Sequence, residues 1–264
     1  MRGYLKRLME AIPGHLGSYF YYRAIRHHML GKYQHDPSLT EAQESLQTLR
    51  REGICVVPDF LSREECQEIL EELTPAIEQT VQGTYKGDHV VSPQRTYRLA
   101  NASSVSARAR DLFYHNQMIA SLAKAYVSKN AYSLRQEVDI KVHVGRVQQA
   151  DTPHFDNWRL TFKAFLYLED VSHENAPFAF YPGTHAALPW RGRYDYEWER
   201  DGPTGRYGHF FMQEMVQLQM EHGFEEVTYV GKAGTLILAD FRGIHKGTTL
   251  DAGRRVLLNN TFAV

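Results

Sequence analysis

The sequence predicts a mainly β fold, a barrel or double sheet, wrapped by N-terminal α-helices. Two observations predict it. Apolar residues recur at helical spacing through roughly the first 130 residues, and from Ser133 onward the chain mostly breaks into short β-branched and aromatic runs separated by Gly, Pro and Asn. Strands and helices do not alternate as a parallel sheet requires, so the β part is expected to be antiparallel. With 264 residues and 43% hydrophobic content the chain can bury one large core. We read a single domain, with 1–130 as mostly helical support and 131–264 as the β core.

Residues 3–34 predict two short basic amphipathic helices, one carrying Tyr4, Leu5, Leu8, Met9 and Ile12, the other Leu16, Phe20, Ala24 and Met29, parted at Pro13-Gly14. Residues 1–35 carry a formal charge of +5, so they either buttress the core or touch an acidic carrier or membrane surface. Ser38-Leu39-Thr40-Glu41 is a capping box for a helix with Leu39, Ala42, Leu46 and Leu49 on its buried face, and Gly53 stops that helix. A strand, 54–57, ends at Pro58. Ser62-Arg63-Glu64-Glu65 repeats the capping pattern ahead of Cys66, Ile69, Leu70 and Leu73. Residues 80–105 read as loop with short strands, and 106–128 as a helix burying Leu112, Phe113, Ile119, Leu122, Ala123 and Tyr126. Strands are expected at 133–144, 153–156, 161–169, 177–181, 226–230, 234–240 and 253–263. The stretch 186–225, with Trp190, Arg191, Tyr194 and a helical 210–220, is long for a connection inside a domain, and reads as a lid or a packed ornament.

A formal charge of −1 argues against a nucleic-acid binder, which needs a basic surplus. Cys55 and Cys66 both fall at core spacing, so no disulfide framework is expected. No run of about 18 apolar residues and no signal-peptide pattern occurs, and a cytoplasmic setting is expected.

The chemistry concentrates at His154-Phe155-Asp156 and His245. In an extended strand, residues two apart share a face, so His154 and Asp156 can point at one metal ion while Phe155 turns away. A histidine from a neighbouring strand completes two imidazoles and one carboxylate. That set leaves coordination positions open and suits a non-haem Fe(II) that binds a co-substrate and dioxygen together. His-x-Asp is short enough to arise by chance, so context must carry it.

Three blocks supply context. His154-Phe155-Asp156 is followed by the hydrophobic run Ala164-Phe165-Leu166-Tyr167-Leu168-Glu169-Asp170. Next comes Asn175-Ala176-Pro177-Phe178-Ala179-Phe180-Tyr181-Pro182-Gly183-Thr184-His185. Then Ala233-Gly234-Thr235-Leu236-Ile237-Leu238-Ala239-Asp240 precedes His245 and Arg255. Over about 130–264, and more loosely over 53–73, the chain resembles the phytanoyl-CoA dioxygenase family of Fe(II)/2-oxoglutarate oxygenases. The resemblance implies a double-stranded β-helix, a cupin-like jelly roll, with Fe(II) held by His154, Asp156 and His245. It implies 2-oxoglutarate and dioxygen as co-substrates, with release of succinate and CO2.

The far carboxylate of 2-oxoglutarate calls for a planar cation, and strand alternation lets only one of Arg254 and Arg255 face inward. We favour Arg255, which stands seven residues before Phe262 as the family's arginine stands before its Phe-like position. By the same alignment Phe165 lines the co-substrate pocket and Gln136 contacts co-substrate or substrate. Two departures from the family occur. Ala176 replaces the usual Gly, a conservative loop change, and Gly247 replaces a small hydroxyl residue, whose hydrogen bond Thr248 could supply instead. His185 reads as a structural or pocket-rim residue because three ligands are already present. Trp158, Arg159, Tyr167, Tyr181 and Arg242 lie on or beside the motif strands and are candidate substrate contacts. The carboxylate of Asp156 favours hydroxylation, or a desaturation or cyclisation variant, over halogenation, because related halogenases leave that position to chloride. The expected substrate is a small organic metabolite or natural-product intermediate. Alternatives are a CoA- or carrier-linked acyl group, or a cupin-like metal hydrolase or isomerase without 2-oxoglutarate.

Overall fold

The computed structural model describes residues 42–91, 96–143, 152–157, 160–186, 190–191, 194 and 209–263. The two basic helices, the Ser38 capping box, Trp158 and Arg159 lie outside these residues.

Helix α1 (Gln43–Glu52) buries Leu46 and Leu49 and stops at Gly53, whose φ of +79° closes the helix in the left-handed region. A side chain is excluded there twice over, since a Cβ would stand 2.5 Å from His185 Nδ1. Strand β1 (Ile54–Val57) leads to α2 (Arg63–Gln82). The Ser62 box forms in both directions: Glu65 N–H donates to Ser62 Oγ at 3.1 Å and Ser62 N–H to Glu65 Oε2 at 2.8 Å. Strands β2 (His89–Val91) and β3 (Thr96–Ala100) resolve the mixed region. The helix expected over 106–128 is broken. A turn at Ala107–Ala109 widens into a π turn, Arg110–Tyr114, and α3 (Gln117–Tyr126) restarts because the Asn116 side chain accepts from the N–H groups of Met118 and Ile119.

The β part runs β4 (Tyr132–Val142), β5 (Phe162–Tyr167), β6 (Phe178–Phe180), then α4 (Met212–His222), β7 (Val227–Tyr229), β8 (Leu236–Asp240), β9 (His245–Gly247) and β10 (Arg254–Ala263). Among the described residues two antiparallel sheets form, β1-β8-β5-β10-β4-β3-β2 and β7-β6-β9. This is a jelly-roll architecture. The expected strand at 153–156 is reduced to a two-way backbone bridge between His154 and His245. The Asp156 N–H then turns to Phe241 O at 3.1 Å, so the chain leaves β9 instead of extending beside it.

Alternation divides the large sheet. Val138 and Ile140 of β4, Ala164 and Leu166 of β5, and Val256 and Leu258 of β10 pack on the helices with Leu49, Ile69, Leu73 and Leu122. Each of the buried Val, Ile and Leu side chains contributes about 1.5–3 kcal/mol. The small sheet seats on the opposite face through Phe178 and Phe180 against Tyr167, Ile237 and Leu257.

A third cluster joins Phe155, Tyr181 and Ile244 to Phe210, Met215 and Leu218 of the 186–225 insert. Arg191, also from the insert, is fully buried, with its guanidinium 4.0 Å from the centroid of the Phe155 ring and a hydrogen bond to Thr184 O at 3.1 Å. The described part of the insert therefore braces the metal strand from behind. None of its described residues lines the cavity below.

Candidate metal centre and active site

His154 and His245 are locked side by side by their reciprocal backbone bonds, 2.9 and 2.8 Å. Their side chains converge on Asp156 Oδ1, at 3.6 Å from His154 Nε2 and 3.4 Å from His245 Nε2. One ligand atom from each residue lies within 4.8 Å of the others. Each imidazole is oriented by a backbone carbonyl, Nδ1 of His154 on Thr152 O at 2.7 Å and Nδ1 of His245 on Gly243 O at 2.9 Å. A carbonyl only accepts, so Nδ1 carries the proton and Nε2 turns its lone pair to the shared centre. Phe155 faces away, as the strand periodicity predicts.

Electrostatics favour the metal-binding protonation states. Burial holds His245 below the ordinary imidazole range, against the opposing pull of Asp156. Burial alone would raise Asp156, but the adjacent Lys163 ammonium outweighs it and holds the carboxylate well below the usual carboxylate range. Lys163 Nζ stands 2.6 Å from Asp156 Oδ2 and 3.9 Å from the centroid of the Phe241 ring. Neutral imidazoles, an ionised carboxylate and convergent lone pairs fit a divalent cation.

The centre opens into a cavity of about 470 Å³. Arg255 lies on its wall, 6% exposed, and donates to Ala176 O and, at 2.7 Å, to Asp139 Oδ1. Its buried Nε has no hydrogen-bond partner among the described residues, which leaves a donor for an anionic ligand. Arg254 points outward to Glu169 at 2.6 Å. Phe165 and Tyr167 line the cavity, the Tyr167 hydroxyl being tied to Tyr229 O at 2.8 Å.

Other candidates lie elsewhere. Gln136 has the parity of Val138 and Ile140, so it is on the helix side of β4 with Nε2 on Ser133 Oγ at 3.3 Å, away from the cavity. Thr248 spends its hydroxyl on Pro177 O at 2.7 Å, and only Gly247 reaches the cavity from that turn. Tyr181 donates to Glu226 at 2.6 Å behind the metal strand. Arg242 is buried against Asp240, which also accepts from Tyr126 at 2.6 Å, so this group stabilises the barrel and does not face ligand. His185 packs under Gly53, with Nε2 3.2 Å from Arg50 O. The Ala176 exchange is not conservative in backbone terms. Its φ is +59°, the left-handed region that favours the family's Gly.

A family model described as phytanoyl-CoA dioxygenase (PhyH) matches residues 49–255. No curated protein matches the chain. Among solved structures, the non-heme alpha ketoglutarate dependent epimerase SnoN from nogalamycin biosynthesis is 22% identical, with a TM-score of 0.62 over 86% of this chain and 84% of its own. HygX from Streptomyces hygroscopicus, solved with nickel and 2-oxoglutarate bound, is 18% identical, with a TM-score of 0.56 over 84% of this chain and 86% of its own. EctD from S. alaskensis is 17% identical, with a TM-score of 0.63 over 88% of this chain and 79% of its own. These likenesses report the fold. The family match spans most of the chain and contains the whole His-Asp-His set and Arg255, and the chain belongs to the phytanoyl-CoA dioxygenase (PhyH) family.

Proposed function

We propose that this protein is a non-haem Fe(II)/2-oxoglutarate-dependent hydroxylase acting on an unactivated C–H bond of a small organic metabolite or natural-product intermediate. Family membership gives the oxygenase class. The observation that carries the site assignment is the convergence of His154, Asp156 and His245 on one point of a cavity whose wall also holds Arg255. Iron bound there with 2-oxoglutarate supplies the dioxygen-derived oxidant, with succinate and CO2 released.

The chain's own residues do the placing. Thr152 O and Gly243 O fix the imidazole tautomers, and Lys163 holds Asp156 Oδ2 so that Oδ1 faces the centre. Arg255 would take the far carboxylate of 2-oxoglutarate as a planar two-pronged donor. Phe165, Phe178 and Phe241 wall the centre with apolar surface and limit stray water. The presence of Asp156 favours oxygen insertion over halide transfer. The structural relatives include an epimerase and, separately, a carbocyclase, so the reaction outcome is the finer part of the reading.

Anaerobic addition of Fe(II) and 2-oxoglutarate should give a visible charge-transfer band, absent in His154→Ala. Metal binding without that band would favour a hydrolase or isomerase. A turned-over substrate should gain one oxygen atom; a product of unchanged mass or one lacking two hydrogens would sink the hydroxylase outcome. None of the described helices is long and apolar enough to cross a membrane.

A further inference from the structure

One wall of the cavity follows a single strand. From Arg255, the inward residues of β10 are Leu257, Asn259 and Thr261. Six residues, roughly 20 Å of strand, separate Arg255 from Thr261. Near Arg255 the wall combines Leu257, Tyr167 and Phe178 with the charged Asp139 and Lys141, which β4 sets opposite Leu257 and Arg255. At the other end Asn259 is paired with Glu137 and Thr261 with Arg135 of β4. On its other side Thr261 is paired with Lys163, the residue that grips Asp156. This end of the wall therefore adjoins the metal ligands on the side away from Arg255.

The polar side chains at that end are under-used. Asn259 and Thr261 are only 7% and 5% exposed, yet their contacts are long: Asn259 to Glu137 Oε2 at 3.4 Å and Thr261 to Asn259 Oδ1 at 3.5 Å. Distances of this size are marginal hydrogen bonds. The Arg135 side chain is exposed beside the cavity and makes no hydrogen bond or ion pair among the described residues. Leaving the buried Asn259 and Thr261 side chains without good partners is unfavourable by about 1–3 kcal/mol each, so a ligand or water answers them. The register shift at Thr261/Phe262 lies opposite this corner, and Leu134 and Arg135, consecutive residues, both line the cavity there. Bulges of this kind re-aim side chains beside active sites.

Resting on the oxygenase reading above, we propose that Arg135, Glu137, Asn259 and Thr261 form the substrate subsite, and that it takes a compact polar molecule. Hydroxyl or amino groups of that molecule meet Glu137, Asn259 and Thr261, and an anionic group meets Arg135. A simple acyl chain is disfavoured because it would leave the buried Asn259 and Thr261 side chains unanswered. Alternate residues on a strand are about 7 Å apart, so the guanidinium and the carboxylate address different ends of one small molecule.

The test uses two probe sets, hydroxylated amino acids and amino sugars against alkanoic acids and acyl-CoA thioesters of matched size. Succinate formation is read with the Fe(II)-loaded protein, and heats of binding with the metal-free protein. Only the polar set should stimulate succinate formation and bind. Thr261→Val, which keeps the shape and removes the hydroxyl, should raise Kd and KM about tenfold for the best polar probe, and Thr261→Ser should stay within about threefold. Stimulation by the acyl set, equal behaviour of the Val and Ser variants, or no binding by any polar probe would overturn the subsite. Failure of the oxygenase reading looks different: polar probes bind calorimetrically, but no 2-oxoglutarate is turned over.

Discussion

Lys163 Nζ lies 2.6 Å from Asp156 Oδ2, while Oδ1 of the same carboxylate faces His154 and His245 at 3.6 and 3.4 Å. The two oxygens thus have separate tasks, one toward the candidate metal and one anchored to β5. A residue that orients a metal ligand commonly affects metal affinity or activity by about 10–100-fold. Lys163→Met should lower 2-oxoglutarate turnover within that range while leaving the circular dichroism spectrum native. Lys163→Arg, which keeps a cationic donor, should recover part of the loss. Equal turnover in wild type and Lys163→Met would assign the ion pair to packing alone.

Arg255 and Arg254 offer an internal control for the co-substrate anchor. Both are arginines on one strand, but Arg255 is buried on the cavity wall and Arg254 pairs with Glu169 at the surface. Arg255→Met should raise the KM for 2-oxoglutarate at least about tenfold, since a desolvated charge-assisted pair contributes more than a neutral one. Arg254→Met removes an exposed pair worth about 0–1 kcal/mol and should shift that KM less than about threefold. Initial rates across a 2-oxoglutarate series decide it.

What was legible follows from how each residue signals itself. His154, Asp156 and His245 are recognisable because ligand type, spacing and order all act locally in the sequence. Gln136 was placed on the wrong face although its parity with Val138 and Ile140 was available; those two apolar residues set the phase of β4, and Gln136 shares it. Asn259 and Thr261 share the phase of Arg255 and could have been found the same way. Lys163 shares the phase of Phe165 and Tyr167, which gives its face but not its partner. Its meeting with Asp156 depends on where the chain bends after His154, which no periodicity encodes. The break at Asn116 was hidden because Leu112, Phe113, Ile119 and Leu122 keep an apolar pattern across it.

Ala176 should be a site of easy stabilisation. At φ +59° its Cβ crowds the backbone, and the strain is about 1–2 kcal/mol. Its carbonyl accepts from Arg255, so the turn is held in this conformation by the active-site wall. Ala176→Gly should gain about 1 kcal/mol and raise Tm by about 2–4 °C. A lower Tm would mean that the extra freedom of Gly in the unfolded chain outweighs the relief.

Asp240 links stability to pH. It is fully buried at the end of β8, where Arg242 and the Tyr126 hydroxyl hold it. Burial would raise its pKa, but the Arg242 charge and hydrogen bonds outweigh this and hold it far below the usual carboxylate range. The unfolded chain, with an ordinary pKa of about 3.9, therefore binds this proton first as pH falls. Its stabilising contribution is complete above about pH 5 and is lost progressively on acidification toward the depressed folded value. Asp240→Asn leaves Arg242 buried without its counter-charge and should cost about 3–5 kcal/mol at pH 7. Urea unfolding at pH 7, 5, 4 and 3 should show wild type losing stability over the acid steps and the variant losing less, so that the two curves converge. Parallel curves would place the acid sensitivity in other carboxylates.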